Sequence, residues 1–191
     1  MKHAQPSLFE PVPRLPTGFN YRPDLLSADE ERALVRAMTD LPFKEFEFRG
    51  FLGKRRVVSY GWRYDYNGGG LQQSDDMPAF LLPLRRQAAE FAGMAAEQFQ
   101  QALVTEYRPG ATIGWHKDRS VFGEVVGISL LSACNFRLRR RAGTRWERAA
   151  LKVEPRSIYL LQGPARSQWE HSIPAGDELR YSVTFRNFRA A

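Results

Sequence analysis

The second half of the chain is a series of short strand patterns separated by turn residues, and this feature restricts the possible folds most. Candidate strands lie within residues 102–107, 112–118, 124–133, 135–140, 147–153, 157–163, 168–173 and 179–188. Turn residues lie between them, among them Pro109-Gly110, Ala142-Gly143 and Gly163-Pro164. Strands of this length at this spacing are typical of a sandwich or barrel, with a jelly roll among the options.

The first half of the chain carries helical patterns. Residues 27–41 predict a helix, because Ser27 can cap it and apolar residues then recur at helical spacing. Residues 77–94 predict a second helix, which Pro83 cuts or kinks. Residues 46–70 are rich in strand formers and predict a hairpin added to the main sheet. These patterns together predict an α+β fold that is mainly β, with the helices packed on the outer sheet.

The length of 191 residues predicts a single domain, which we place at residues 21–191 after an extended, proline-rich arm at residues 1–20. No apolar run reaches the length of a bilayer-spanning helix, and the N-terminus lacks the apolar region of a secretory signal. Cys134 is the only cysteine, which excludes an intrachain disulfide and a cysteine-cluster metal site. We therefore expect a cytoplasmic monomer that does not bind membranes.

The charge of the chain favours polyanionic partners. The formal net charge is +7, and such an excess favours nucleic acid before a membrane surface. A basic face that is merely solvated gives the same composition, so charge alone does not decide between the two interpretations.

His116 and Asp118 are candidate metal ligands. Side chains alternate along a strand, so these two residues are expected on one face, with Gly114 leaving room beside them. His171 is the other candidate, since the remaining histidine, His3, lies in the arm. Two histidines and a carboxylate with open positions opposite are typical of non-haem Fe(II) oxygenases, and the same set also holds catalytic zinc. A histidine that only caps a loop is the alternative.

The last strand places two arginines on its polar face. Arg180, Ser182, Thr184 and Arg186 alternate with apolar residues. Arginines that point into a barrel are costly unless they meet an anion. Arginine pairs with carboxylates through two hydrogen bonds, so a dicarboxylate is a suitable ligand. Two surface arginines on an edge strand are the alternative.

The ordered set His116-x-Asp118, His171 and Arg180-x5-Arg186 resembles the AlkB family of Fe(II)- and 2-oxoglutarate-dependent dioxygenases. The resemblance covers about residues 100–188 and implies a double-stranded β-helix, or jelly roll, as the core. It implies that the two histidines and the aspartate ligate iron. It also implies that Arg180 pairs with the distal carboxylate of 2-oxoglutarate and that Arg186 lies near the end that chelates iron.

The resemblance extends to smaller contacts, with departures. Tyr107 matches a tyrosine that hydrogen-bonds the cosubstrate, and Ser182 lies near the same carboxylate. Thr105 stands where several members have asparagine, which puts that cosubstrate contact in doubt. Ser120 replaces an acidic residue that touches the base, so base preference cannot be transferred. The implied reaction uses O2 to demethylate N-alkylated bases in DNA or RNA, releasing formaldehyde, succinate and CO2.

Residues 46–70 are the candidate substrate region, which in the family forms a lid over the iron. Aromatic residues alternate here after a short basic run, and such a combination is typical of single-stranded nucleic-acid binding. The candidates are Lys54, Arg55, Arg56, Tyr60, Trp62, Tyr64 and Tyr66, with the four aromatic side chains expected on one strand face. Packing of these aromatics as core is an equal alternative.

A second basic run surrounds the turn at Ala142-Gly143. It consists of Arg137, Arg139, Arg140, Arg141, Arg145 and Arg148. The run predicts either a phosphate-binding rim or a solvated hairpin.

Two further hypotheses stand beside the nucleic-acid demethylase. One is a 2-oxoglutarate-dependent hydroxylase or demethylase of a protein or small molecule, and the other is a non-catalytic nucleic-acid-binding module.

Overall fold

The computed structural model describes residues 15–48, 51–66, 68 and 70–189. Strands account for most of the regular structure. In chain order they are β1 (Phe19–Arg22), β2 (Lys44–Phe48), β3 (Phe51–Tyr60), β4 (Trp62–Asp65), β5 (Gly70–Gln73), β6 (Phe99–Tyr107), β7 (Ile113–His116), β8 (Phe122–Leu130), β9 (Cys134–Ala142), β10 (Arg145–Val153), β11 (Ser157–Leu161), β12 (Glu170–Ile173) and β13 (Arg180–Phe188). The helices are α1 (Ala28–Thr39), α2 (Leu82–Ala92) and α3 (Gly163–Ser167), with 3-10 turns at Ala79–Leu81 and Ala96–Gln98.

Two antiparallel sheets form the core of the molecule. The large sheet has the strand order β1-β11-β8-β13-β6-β3-β2, and the small sheet has the order β10-β9-β12-β7. Their inner faces share one apolar cluster, in which Phe136 and Leu138 of the small sheet pack with Val125 and Leu161 of the large sheet. The predicted jelly-roll sandwich is therefore confirmed, and each of the eight strand segments expected after residue 102 contains a strand.

The helices cover the other face of the large sheet. Met38 of α1 and Leu84 of α2 pack in a second apolar cluster with residues of β6, β8, β11 and β13. Strand β13 alternates between the two clusters: Val183 and Phe185 face the helices, whereas the residues between them face the small sheet. The predicted packing of the helices on the outer sheet is confirmed.

The helix ends follow the local sequence. The Ser27 side chain accepts a hydrogen bond from the Glu30 amide while the Glu30 carboxylate accepts one from the Ser27 amide, which is the capping arrangement expected at α1. Pro83 does not cut or kink α2. It stands in the first turn, where the missing N–H group removes no helical hydrogen bond. None of the described helices is long and apolar enough to span a membrane.

The segment from residue 46 to 70 departs from one part of its prediction. Strands β2 and β3 form the expected hairpin and extend the large sheet at β6. However, the chain turns at Gly61, whose φ is +72° and where a Cβ atom would overlap the Gln100 carbonyl oxygen. Strands β4 and β5 then form a separate two-stranded ribbon. The prediction that Tyr60, Trp62 and the next two tyrosines share one strand face is therefore wrong.

The N-terminal boundary also differs from its prediction. Strand β1 begins at Phe19 and pairs with β11, so the structured domain begins before residue 21. The remainder of the proposed arm, including His3, lies largely outside the described residues, since the description begins at residue 15.

Candidate active site

Strand pairing brings the two histidines together. His116 is the last residue of β7, and His171 is its direct partner in the β12–β7 register. Their imidazole centroids lie 4.2 Å apart. The His116 Nδ1 atom lies 2.9 Å from the Gly114 carbonyl oxygen, within hydrogen-bonding distance. A ligating histidine usually donates its other ring N–H in this way, which leaves His116 Nε2 for a metal.

Asp118 reaches the histidines by a different route from the one that strand alternation predicts. Strand β7 ends at His116, so Asp118 lies in the following loop. Its Oδ2 atom is 3.6 Å from His171 Nε2. The loop is fixed from behind by the buried Arg166 of α3, whose guanidinium donates to the carbonyl oxygens of Asp118, Arg119 and Phe122 at 3.4, 2.7 and 2.7 Å.

The three side chains fit a divalent metal. Their ligand atoms all lie within 4.8 Å of one another. Burial, and then the neighbouring His116, lower the pKa of His171 to about 3. Burial alone would raise the pKa of Asp118, but the Arg186 guanidinium and the two histidines hold it well below its usual range. At neutral pH His171 therefore offers a neutral nitrogen and Asp118 an ionised carboxylate, the forms in which these groups bind metal ions.

A cavity of about 520 Å³ extends from these three residues between the sheets. Four of the predicted cosubstrate residues, Thr105, Tyr107, Ser182 and Arg186, line it, and Arg180 lies behind Tyr107 without lining it. In the β13–β6 register Arg180 is opposite Tyr107, and Ser182 is opposite Thr105. Tyr107, Thr105 and Ser182 line the cavity. The structure therefore brings together residues that were predicted to contact the end of the cosubstrate that lies away from the metal.

The surroundings of Arg180 suit the binding of an anion. The side chain is 3% exposed. Its Nε atom donates to Ser129 Oγ at 2.9 Å, and the guanidinium lies over the Tyr107 ring at 4.8 Å. Both terminal nitrogens are buried and have no hydrogen-bond partner among the described residues. Since unpaired buried cations are costly, this pair of donors fits a carboxylate bound beside Tyr107, the neighbour of Arg180 that lines the cavity.

Arg186 is already engaged in the site. It donates from Nε and Nη2 to Asp118 Oδ1 at 3.0 and 2.8 Å and from Nη1 to Gln101 at 3.2 Å. It therefore lies next to the metal set, which is where the resemblance places it. The strand pattern alone suggested a dicarboxylate with one end on each of the two guanidinium groups. Such a ligand would have to compete with Asp118 for Arg186.

The cavity opens at a rim made of cations and aromatic rings. Lys54 and Arg55 both line the cavity, although they are neighbours in sequence. They lie where the β2–β3 register jumps from Arg56 to Gly53, and such a bulge re-aims side chains. The Arg55 guanidinium lies over the Phe46 ring at 3.7 Å and donates to the Thr112 carbonyl oxygen at 3.4 Å.

Arg119 completes the rim from the metal-site loop. Its guanidinium lies 4.7 Å from the Tyr64 ring centroid and 4.9 Å from that of Tyr66. The two tyrosine rings are themselves in edge contact, with centroids 5.0 Å apart. Tyr66 and Arg119 line the cavity directly. Tyr64 belongs to the rim because it contacts both of these residues.

Three predicted substrate residues lie elsewhere. Tyr60 is buried in the core beneath the helices. Trp62 packs edge-on against Phe188. Arg56 forms two hydrogen bonds of 2.8 Å with the buried Glu106. These placements follow from the turn at Gly61 and from strand alternation, and they make Tyr60, Trp62 and Arg56 structural residues in this conformation.

Comparison with known proteins identifies the fold and the chemistry. The family model described as "2OG-Fe(II) oxygenase superfamily" matches residues 18–186, a range that contains the metal set and both arginines. The chain belongs to this superfamily. As a member it is a 2-oxoglutarate-dependent dioxygenase that uses Fe(II), 2-oxoglutarate and O2, and the donor set, cavity and unpaired Arg180 fit these groups.

Within the superfamily the chain is AlkB-like. It is 29% identical over 178 residues to an "Alkylated DNA repair protein ALKBH8 homolog" of Arabidopsis thaliana, covering 80% of this chain and 49% of that protein. It is 29% identical over 206 residues to an "Alpha-ketoglutarate-dependent dioxygenase AlkB homolog" of Caulobacter vibrioides, covering 91% and 89%. The solved structure titled "The structure of OsALKBH1" has the same fold, with a TM-score of 0.69 at 15% identity, covering 93% of this chain and all of that one.

Several residues of this dioxygenase site were not predicted from sequence. Arg119 and Arg166 are single arginines in polar segments, and nothing in their local pattern marks them. Ser129 and Tyr159 lie in apolar strand patterns that read as core. Tyr159 lines the cavity, and burial raises the pKa of its hydroxyl, which keeps it protonated as a donor. Strand register, which the sequence does not specify, brings Ser129 of β8 and Tyr159 of β11 to the site, whereas Arg119 and Arg166 reach it from a loop and from α3.

Proposed function

We propose that this dioxygenase oxidatively demethylates N-methylated bases in DNA or RNA. The observation that carries the proposal is the cavity that leads from the metal set to a rim of cations and aromatic rings. A flipped base needs a pocket walled by aromatic groups, and the phosphates on either side of it need cations. Lys54, Arg55 and Arg119 supply cations at the mouth, and Tyr64 with Tyr66 supplies aromatic faces.

The net charge and the relatives support the same substrate class. The formal net charge of +7 favours a polyanionic substrate. The relatives named for alkylated DNA repair and as an AlkB homolog match most of this chain. The chain spans about half of the length of the Arabidopsis protein, so that protein's whole activity is not transferred. The predicted lid function of residues 46–70 forms part of this proposal.

Each side chain of the site has a distinct task in the proposed reaction. When bound, iron and 2-oxoglutarate together supply an oxidant that inserts oxygen from O2 into a methyl C–H bond and yields succinate and CO2. Arg180 and Tyr107 hold the distal carboxylate of 2-oxoglutarate. Arg186 orients Asp118 through two hydrogen bonds. The hydroxymethyl group formed on a ring nitrogen then leaves as formaldehyde, which restores the unmodified base.

The proposal is tested by turnover on defined methylated oligonucleotides. The protein is incubated with Fe(II), 2-oxoglutarate and single-stranded DNA or RNA that carries one 1-methyladenine or 3-methylcytosine. We expect formaldehyde, succinate and the unmodified base in equal amounts. The matched controls are the same oligonucleotides without the methyl group and the His171→Ala variant, in which one metal ligand is removed. Neither control is expected to yield formaldehyde.

A negative result has a defined meaning. Absence of demethylation on every methylated DNA and RNA, with metal bound and 2-oxoglutarate slowly consumed, contradicts the proposed substrate. It then favours the protein or small-molecule alternative, for which the basic rim has no role. Weak oligonucleotide binding without salt dependence is the second sign of that alternative, because contacts to phosphates release counterions.

A further inference from the structure

The outer face of the small sheet carries arginines interleaved with tryptophans. Inner-facing Phe136 and Leu138 alternate with outer-facing arginines along β9. We call this surface the arginine–tryptophan face, and it consists of Trp115, Arg137, Arg139, Arg141, Trp146 and Arg148. The Arg139 guanidinium lies 4.3 Å from the ring centroid of Trp115 and 4.3 Å from that of Trp146. Arg137 lies over Trp115 at 5.1 Å, and Arg141 lies over Trp146 at 5.2 Å.

The charges on this face are only partly neutralised. Arg139 pairs with Glu170 at 2.6 Å. On its other side Arg139 is the register partner of Arg148 in β10, so two cations stand opposite each other. Like charges in directly opposed positions destabilise a sheet. Arg141 and Arg148 are both exposed, and an external anion would relieve this repulsion.

A groove of about 520 Å³ adjoins the face. Arg141 and Trp146 form one side of it, and the other polar residues that line it are Lys117, Arg140, Ser167, Gln168 and Glu170, the last of which is paired with Arg139. Arg140 is held in place by Glu147 at 2.6 Å and by Gln168 at 2.9 Å. One cation of the groove, Arg140, is thus held in a fixed position, whereas Arg141 and Lys117 are exposed.

The groove and the face are continuous with the active-site cavity. Lys117 borders both the groove and the cavity. Trp115 lines the cavity and carries the stacked Arg137 and Arg139 on the outer face. Both residues flank His116 in sequence. The arginine–tryptophan face thus adjoins the cavity at Trp115 and Lys117, where a strand with one base at the metal set would leave it.

We infer that the arginine–tryptophan face, with its groove, binds the part of a nucleic-acid strand that flanks the target base. The inference rests on the proposed function. Arginine recognises phosphate through two hydrogen bonds, and planar guanidinium and indole groups stack on unpaired bases. An acidic peptide would use the charges but not the stacked planes, so a single-stranded nucleic acid fits this surface better.

The test neutralises two exposed arginines outside the cavity. The double variant Arg141→Gln/Arg148→Gln is compared with Arg36→Gln/Arg86→Gln, which has the same net charge. Arg36 and Arg86 are exposed on α1 and α2, across the large sheet from the face. Binding of a fluorescent 15-nucleotide methylated strand is measured by anisotropy between about 50 and 300 mM salt, a range over which the Debye length falls from about 14 Å to about 6 Å.

We expect the face variant to weaken binding about tenfold at 0.1 M salt and to reduce the slope of log Kd against log salt by about 1.4, or about 0.7 for each lost phosphate contact. The helix variant should match the wild type. In demethylation assays the face variant should raise the KM for the 15-mer and leave kcat unchanged. With a methylated trinucleotide, which is too short to leave the cavity, its KM should equal that of the wild type.

The outcomes separate this inference from the proposed function. Equal Kd, salt slope and KM for both double variants overturn the inference while the demethylase proposal stands. If no methylated nucleic acid is turned over, the proposed function fails, and anisotropy alone decides the inference. A selective loss of strand binding in the face variant then still supports a nucleic-acid surface, whereas unchanged binding overturns it.

Discussion

Replacing Arg180 with methionine is expected to strengthen the fold and abolish cosubstrate binding. The two terminal nitrogens of Arg180 are buried and unpartnered, while Nε alone is satisfied by Ser129. In the absence of 2-oxoglutarate these nitrogens oppose folding. With 2-oxoglutarate bound, they become the donors to its distal carboxylate. Arg180→Met fills similar volume without polar atoms and so separates the two effects.

The magnitudes follow from the number of donors. A hydrogen bond to a charged group contributes about 1.5–3 kcal/mol, so two contribute about 3–6 kcal/mol. Their loss raises the Kd for 2-oxoglutarate about 10²–10⁴-fold, since about 1.4 kcal/mol is tenfold. Each unsatisfied buried donor costs about 1–3 kcal/mol. After subtraction of the bond to Ser129, we expect the free energy of unfolding without 2-oxoglutarate to rise by about 1–3 kcal/mol.

Urea unfolding with and without 2-oxoglutarate, in the presence of Mn²⁺ as a redox-inert metal, measures both quantities. At a ligand concentration of about 100 times Kd, the wild type should gain about 2.7 kcal/mol. The variant should gain nothing under the same conditions.

The matched control is Arg166→Met, a buried arginine whose two terminal nitrogens donate to three carbonyl oxygens while only Nε lacks a partner among the described residues. This substitution should destabilise the protein, because it leaves those carbonyl groups without a donor. The reasoning is refuted if Arg180→Met destabilises the ligand-free protein as much as Arg166→Met does. It is also refuted if 2-oxoglutarate still stabilises the Arg180 variant.

Three further substitutions give distinct results. Arg186→Gln removes hydrogen bonds to a ligand carboxylate and should weaken Mn²⁺ binding about 10–100-fold by calorimetry, whereas His171→Ala, which removes a ligand, should weaken it more. Hydrogen bonds from arginine lower the pKa of Glu106 below 4.5, so its contribution to stability is present above about pH 4.5 and is lost as the pH falls through the folded-state pKa. Glu106→Gln should therefore reduce stability at pH 7 and flatten this acid loss in denaturation curves. Gly127→Ala should destabilise the protein by about 1–3 kcal/mol and weaken 2-oxoglutarate binding in thermal-shift assays, because the new Cβ would overlap the Tyr159 ring.

A specific result would contradict each of these predictions. Equal Mn²⁺ affinity in the Arg186 variant and the wild type would mean that the hydrogen bonds to Asp118 do not support the metal site. Parallel pH curves for Glu106→Gln and the wild type would exclude this carboxylate as a source of the acid loss. Gly123→Ala, on the same strand, would meet only the flexible Asn187 side chain and should cost less than Gly127→Ala.

Residues that follow a strict local period were the most predictable from sequence. The alternation along β13 correctly separated Val183 and Phe185 from the polar residues of the inner face. The two histidines were found because so few histidines are present. Their pairing across β7 and β12 depends on a β-sheet register, which the sequence could only suggest through a resemblance.

The features that could not be predicted depend on long-range contacts. Asp118 lies beyond the strand end, and its position depends on Arg166, which is 48 residues later. The turn at Gly61 arises because the chain there passes close to the Gln100 carbonyl oxygen. The α3 helix has only five residues, too few for a periodic pattern. For Asp118 and Gly61 the partner that fixes the local geometry is remote in sequence.

The loop between β7 and β8 connects two parts of the active site. Arg166 fixes the carbonyl groups of Asp118 and Arg119 with a single guanidinium. Asp118 belongs to the metal set, and the guanidinium of Arg119 lies over the tyrosines of the rim. Because one guanidinium holds both residues, we expect binding at the rim to raise the affinity of the metal set, and metal binding to raise the affinity of the rim by the same factor.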